Sequence, residues 1–374
     1  MLRPSARWPL MGVVALVLTA LLAACGGGAD KGASSASPAK TTKVGFIYAG
    51  AINDGGWHES LYQGELAVAK LANVETIHVE NVPENPAAAA VMETMIQQGA
   101  TIIFATSGGY PTPEVAQKHP NVTFFGAGGR IGPNIGAFNA TRAFWQAEYL
   151  LGIAAGSATK SDRLGFIMGF PGAHPLLNLN AFHLGARSVN PNVTTAFVTI
   201  GSWCDPAKNV AAVQSLVSRG IDVVNLRVDC PVSAIQTAEA AGVMSIGSNF
   251  DDSKFAANGW LTGYVLVWSN AFPDFVRQVI AGDYKPALHS YSIKDSVTDL
   301  APFGPRVTKD TQAKILQVKE GMIRGELFPF TGPIKDQSGA VRIGQSEKLD
   351  VDLFEDQAID WLAEGIIGML PRRP

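Results

Sequence analysis

The stretch VGFIYAGAINDGGWHESLYQG, residues 44–64, decides the architecture. VGFIYA (44–49) is a short apolar run of the kind a strand buried on both faces requires. Asn53-Asp54-Gly55-Gly56 ends the run with turn residues, and Trp57 to Leu71 repeats apolar positions at helical spacing. The same rhythm continues downstream. A strand is expected at 74–80, a helix at 86–98, a strand at 101–106, a short helix at 113–118 and a strand at 122–127. Strands alternating with helices predict a parallel sheet covered on both faces. The rhythm then restarts: helix 142–158, strand 164–168, helix 173–189, strand 194–200, helix 206–218, strand 222–228, helix 231–241 and strand 243–248. Two such runs predict two doubly wound α/β lobes, with a boundary near 139–142. Residues 43–140 form lobe 1 and 141–268 form lobe 2. A strand and helix over 262–282 carry the chain back, so a return segment at about 269–290 joins lobe 1. Parts of 291–374 belong to lobe 2. Asp336-Gln337-Ser338-Gly339 reads as a hairpin turn, and 355–368 as a terminal helix.

The first residues are a separate object. Arg3 and Arg7 precede an apolar run, Leu10 to Ala24, that is short for a membrane span and fits a signal-peptide core. It ends in Leu22-Ala23-Ala24-Cys25, which looks like a lipobox. Residues 1–25 therefore read as a lipoprotein signal peptide, with Cys25 the acylated first residue of the mature chain. Residues 26–42, rich in Gly, Ala, Ser and Thr, read as a flexible tether. This predicts a periplasmic protein anchored to a membrane by lipid. With 16% charged and 47% hydrophobic residues, the rest of the chain is apolar enough for a large core. A net charge of −3 gives no nucleic-acid footprint. Cys204 and Cys230 remain in an exported chain, just past two consecutive predicted strands of lobe 2. Neighbouring strands place such residues within disulfide reach, so a bridge is expected.

In open α/β sheets ligands sit beyond the carboxyl ends of the strands. The loops at those ends carry the candidate site. Asn53-Asp54-Gly55-Gly56-Trp57, Ser107-Gly108-Gly109-Tyr110, Gly169-Phe170-Pro171-Gly172 and Gly201-Ser202-Trp203-Cys204-Asp205-Pro206 are small and polar, and each carries an aromatic residue. Turns and helix caps explain each loop singly. Together, Trp57, Tyr110, Phe170 and Trp203 predict a cleft between lobes lined by flat rings. Asn53, Asp54, Ser107, Asp229 and Asn249 would supply edge hydrogen bonds. Flat rings suit a planar heterocycle, each stack contributing about 1–3 kcal/mol; sugars also stack on tryptophan. No catalytic or metal motif survives inspection. In Gly126 to Gly132 the third glycine of a dinucleotide fingerprint would fall at Ile131, and His58-Glu59 lacks the second histidine of a zinc protease. No GxSxG elbow occurs. The expectation is no enzyme, no cofactor and no metal. Trp145, Trp260 and Trp268 are expected in the core.

Several segments resemble the basic-membrane-protein family, the purine-nucleoside-receptor-like lipoproteins that bind substrate for ABC importers. They are VGFIYAGAINDGGWHESLYQG (44–64), EYLLGIAAGSATKSDRLGFIMGF (148–170), GARSVNPN (185–192), GSWCDPAKNVAAVQSLVSRGIDVV (201–224), AAGVMSIGSNFDD (240–252) and WSNAFPDFVRQVIAGDYKP (268–286). The resemblance runs over roughly residues 43 to 345. It implies a type I periplasmic-binding-protein fold with a hinge. It also implies a monomer that hands its ligand to an ABC permease and ATPase, and a purine nucleoside held between aromatic rings and carboxylates. Asn53, Asp54 and Trp57 match the first polar turn, and Phe170 or Trp203 would give the second ring. The sequence departs from the pattern at Asn249, where nucleoside binders carry an acidic residue, at the bulkier Trp57, and at Asp229-Cys230-Pro231. Those departures suggest a smaller ligand, a free purine base rather than a nucleoside. The alternatives are a sugar or another heterocycle in the same fold, a sensor without transport, and a nucleoside-cleaving enzyme.

Overall fold

In a computed structural model, residues 41–350 and 359–370 are described. The expected signal peptide, Cys25 and nearly all of the expected tether lie outside them. In lobe 1, strand β1 (Thr42–Ile47), helix α1 (Trp57–Val68), β2 (Val74–Val79), α2 (Ala87–Gln97), β3 (Ala100–Ala105), α3 (Thr112–Lys118), β4 (Thr123–Ala127) and β5 (Ile135–Asn139) follow in order. Lobe 2 continues with α4 (Thr141–Ala158), β6 (Arg163–Met168), α5 (Ala173–Arg187), β7 (Thr194–Thr199), α6 (Pro206–Ser218), β8 (Val223–Arg227), α7 (Val232–Ala240), β9 (Met244–Gly247) and β10 (Trp260–Leu266). The chain then returns to the first sheet with α8 (Phe272–Ala281) and β11 (Leu288–Ser290), and crosses again to β12 (Thr298–Leu300). Helix α9 (Lys309–Ile323), a hairpin of β13 (Ile334–Lys335) and β14 (Val341–Ile343), and β15 (Ile366–Ile367) close the described chain.

The first sheet has the order β11-β5-β4-β3-β1-β2 and is parallel throughout. The second has the order β12-β10-β9-β8-β6-β7-β15, parallel except for β12 on β10. The chain passes between sheets three times, after β5, after β10 and after β11. Hydrogen bonds stitch these crossings together. Asn139 Oδ1 accepts from Ser290 Oγ (3.1 Å), and Gln146 Oε1 accepts from the Ile293 N–H (2.9 Å). This is the two-lobed, hinged type I periplasmic-binding-protein fold.

Aromatic packing builds lobe 1. Phe46, Phe104 and Phe125 stack in sequence across the sheet, at 4.6 and 4.8 Å between centroids. Trp145, Trp260 and Trp268 are all fully buried core residues. In lobe 2, α4 and α5 cross at backbone distance. A Cβ on Gly152 would collide with the Phe182 carbonyl oxygen, and one on Gly185 with that of Tyr149, so only glycine fits either place. Five elements were not anticipated: β5, β11, β12, α9 and β15. The expected helix at 355–368 is corrected. Residues 355–358 lie outside the described set, and 359–367 form turns that lead into β15. Gly365 and Gly368 adopt φ of 98° and 144° there, and Ile366–Ile367 pairs parallel to β7.

Candidate functional site

The loop after β1 begins the site. Asp54 folds back over the start of α1. Its Oδ1 accepts from the N–H groups of Gly56 (2.8 Å) and Glu59 (3.0 Å), and its Oδ2 from that of His58 (3.2 Å). Free N–H groups at a helix start need such acceptors. Gly55, at φ 68°, makes the turn possible. His58 Nδ1 lies 2.8 Å from Asp54 Oδ2, while its Nε2 accepts from the Gly50 N–H at 3.1 Å. The proton on the ring therefore sits on Nδ1. Trp57 then points its indole across lobe 1, and its Nε1–H donates to the Thr106 carbonyl at 3.1 Å.

This loop meets lobe 2 directly. The Trp57 backbone N–H donates to Asp229 Oδ1 at 3.3 Å, 172 residues away in sequence. A Cβ on Gly56 would stand 3.2 Å from the same oxygen, and one on Gly55 would stand 3.2 Å from Asp252 Oδ1. Asp54, His58 and Asp229 come within 4.8 Å of one another, all buried. Such a trio has the donor set of a metal site; both Asp54 oxygens, both His58 ring nitrogens and Asp229 Oδ1 are already engaged with N–H groups or with each other, which makes it a hydrogen-bonded seam. Burial and the Asp54 charge push the Asp229 carboxyl up to about 6. Burial and the Glu59 charge push Asp252 up to about 8. Burial lowers the His58 pKa, but the bond to Asp54 and the charge of Asp229 outweigh it, and the net direction is upward.

Behind the seam lies a second layer, supplied mostly by lobe 2, with Trp268 packed on Phe138 and Phe272 of lobe 1. Phe144 of α4 faces Trp57 edge-on, 6.4 Å between centroids, and Trp268 faces it at 6.0 Å. The Arg227 guanidinium, at the carboxyl end of β8, lies 4.9 Å from the Phe144 centroid and 6.0 Å from that of Tyr264. The Tyr264 hydroxyl donates to Asn249 Oδ1 at 3.1 Å. His174 of α5 packs on Phe144 at 5.2 Å, and burial and the charge of Arg227 hold its pKa well below the usual value. Glu148 is fully buried, accepts from Asn225 Nδ2 at 2.6 Å, and is pushed up to about 8 by burial despite the attraction of Arg227. Asn178 is fully buried on α5. Among the described residues neither its Nδ2 nor its Oδ1 has a hydrogen-bond partner, and the same holds for Arg227 Nε, Glu148 Oε1 and Asn225 Oδ1.

The expected site residues divide accordingly. Asp54, Trp57 and Asp229 meet at the seam, and Asn249 lies in the layer behind it, bonded to Tyr264. Asn53 is exposed on the loop outside it. Ser107 is bonded to Glu84 within lobe 1. Tyr110 is corrected: it is 2% exposed in the lobe 1 core, with its hydroxyl donating to the Val82 carbonyl, because its side chain turns inward while Gly108 and Gly109 stay exposed. Phe170 and Trp203 are 43% and 38% exposed and pack on each other at 5.5 Å at the rim, so the rings facing Trp57 are Phe144 and Trp268. Cys204 and Cys230 form a disulfide, with Cα atoms 5.2 Å apart. It ties the loop after β7 to the loop after β8, which carries Asp229. Phe144, His174, Asn178 and Arg227 were missed by sequence reasoning.

Comparison with known proteins adds independent findings. The family model described as "ABC transporter substrate-binding protein PnrA-like" matches residues 41–327. A purine-binding protein of Brucella abortus is 35% identical over 82% of this chain and 88% of its own length. A protein of Haloferax volcanii assigned as a glucose-binding component of an ABC transporter is 27% identical over 92% of this chain and 84% of its own. Among solved structures, an ABC transporter solute-binding protein of Conexibacter woesei superposes with a TM-score of 0.65 at 21% identity, over 77% of this chain and 98% of that one. At that identity the likeness speaks for the fold alone.

Proposed function

The chain belongs to the PnrA-like family of ABC transporter substrate-binding proteins, and from that premise we propose that it captures a purine base between its lobes and delivers it to an importer. The family is one of extracytoplasmic binding proteins that serve a permease and an ATPase, and no described helix is long and apolar enough to cross a membrane. Cys25 would hold the chain to the bilayer through lipid. The observation that carries the ligand reading is the layer behind the seam: the half-buried Trp57 ring, set against Phe144, beside buried polar groups that have no partner among the described residues. A flat, polar-edged heterocycle satisfies both requirements at once.

A free base is favoured over a nucleoside. Asn249 Oδ1 is already taken by Tyr264, and Gly55 and Gly56 pack against Asp252 and Asp229 without space for a sugar. The glucose-binding relative supports a second reading, a sugar stacked on Trp57. Binding to the folded state raises the melting midpoint, by an amount equivalent to about 2.7 kcal/mol at 100 times the dissociation constant. The full chain in detergent is therefore melted with purine bases, nucleosides, pyrimidines and glucose. A shift with bases and not with nucleosides is the expected result. A shift with glucose alone would replace the purine reading, and product formation from a nucleoside would replace the binding role with an enzymatic one.

A further inference from the structure

We propose that Arg227 is a specificity-determining residue that donates to the adjacent N7 and O6 acceptors of a 6-oxopurine, so that the site takes hypoxanthine-type bases in preference to adenine. This rests on the purine reading above.

Arg227 is 6% exposed and ends a strand, VVNLR, that is otherwise buried and bears no other charge. Its Nε has no hydrogen-bond partner, and the guanidinium forms no ion pair among the described residues. A guanidinium carries five donors in a flat fork and keeps its charge in any protein environment, so its burial demands acceptors. The nearby acids do not supply them. Burial holds the Glu148 carboxyl up to about 8, which leaves it largely protonated at neutral pH. Asp229 turns its Oδ1 to the Trp57 N–H. Phe144, 4.9 Å from the guanidinium carbon, and Tyr264 fix the fork by ring contacts that use none of its N–H groups. The carboxyl end of β8 is also where a sheet of this kind presents groups to ligand. The result is a charged, two-pronged donor held beside the ring that faces Trp57.

A two-pronged donor selects among purines. In their N9–H tautomers hypoxanthine and guanine place two acceptors, N7 and O6, side by side on one edge. Adenine places the N7 acceptor beside the N6 amino donor, and the second prong then meets another donor. Asn178, one helical turn along α5 from His174, carries a donor and an acceptor that have no partner among the described residues, and an amide of that kind pairs with either type of purine. The discrimination therefore falls on Arg227.

The test is calorimetric titration of the full chain with hypoxanthine and adenine. A correct bidentate contact contributes about 1–3 kcal/mol of discrimination, so hypoxanthine is expected to bind roughly 5- to 150-fold tighter. Arg227→Gln supplies a donor and an acceptor, the pair that suits adenine, and is expected to reverse the preference. Arg227→Lys keeps the charge without the fork and is expected to keep a weakened preference for hypoxanthine. Equal affinities, or tighter adenine binding, in the unaltered chain would overturn the proposal while leaving the purine reading intact. A hypoxanthine preference left unchanged in the variants would overturn the role of Arg227. Should Arg227→Gln fail to fold, the unaltered chain and Arg227→Lys still decide. Binding of neither base would sink the purine reading itself, and this inference with it.

Discussion

The two lobes meet at one seam but bring opposite things to it. Lobe 1 brings a finished structure. Each oxygen of Asp54 is occupied, His58 is bonded through both ring nitrogens, and the Trp57 indole N–H is spent on Thr106. Lobe 2 brings unfinished chemistry, with Asn178, Arg227, Glu148 and Asn225 all retaining buried polar atoms that have no partner among the described residues. A satisfied network rigidifies its surroundings, and an unsatisfied one costs free energy until something completes it. Lobe 1 therefore acts as a preformed wall that offers a ring, and lobe 2 as the surface that reads the ligand.

The largest effect that would sharpen this contrast is expected at Asp54. Asp54→Ala orphans the N–H groups of Gly56, His58 and Glu59 at the start of α1 and strips His58 of its partner. Together these losses are expected to cost about 3–4 kcal/mol of stability without any ligand. Urea unfolding of the ligand-free chain checks this. A loss below 1 kcal/mol would mean that the wall is not held by its cap.

Asp229 tests the seam where the lobes touch. Its carboxyl is raised from the ordinary value of 3.8 to about 6, so its ionisation opposes the closed packing. The sign follows from linkage: the favourable neutral form is fully populated below pH 3.8, and its stability is lost as pH rises through 6. Asp229→Asn removes that ionisation and can still accept from the Trp57 N–H. The variant is expected to be more stable than the parent by about 1–3 kcal/mol at pH 7.5, the gain shrinking to nothing near pH 4. Unfolding curves across that range measure it. A gain that does not change with pH would assign the effect to packing instead of charge.

The fold was largely legible because its rules are local. Apolar runs of strand length alternate with helical periods, and the start of α6 could be placed from Asp205-Pro206, where the Asp205 carboxylate does accept from the Lys208 N–H. The misses have local reasons too. β5, IGAFN, is five residues long with a glycine inside it. α9 is mostly polar, and its buried Ile315, Val318 and Met322 lie at helical spacing behind the Thr308 cap, a pattern that could have been found. The expected C-terminal helix over 355–368 includes Gly365 and Gly368, which take conformations no helix contains. Within the site, Asp54, Trp57, Asp229 and Asn249 were legible because they follow parallel strands. Phe144, His174 and Asn178 were not, since they sit inside helices whose neighbours are apolar and pass for core. Arg227 did carry a signal, a lone charge within a buried strand, but its meaning depends on Phe144, which is 83 positions earlier and adjacent only in the fold.

Asn178 offers the smallest effect and the most direct way to break the contrast between the lobes. Both of its polar atoms are buried without partners among the described residues, so in the ligand-free protein the amide contributes less than an apolar side chain of similar volume would. Asn178→Leu is thus expected to stabilise the ligand-free chain, by about 1–2 kcal/mol, and to reduce the further stabilisation that a purine base confers. Melting both proteins with and without the base separates the two terms. Opposite signs would mean that the amide is kept for the ligand at the expense of the scaffold, as the unfinished surface of lobe 2 requires. A variant destabilised without ligand would mean that Asn178 belongs to a completed internal network. Lobe 2 would then be as finished as lobe 1, and recognition would have to come from the seam itself.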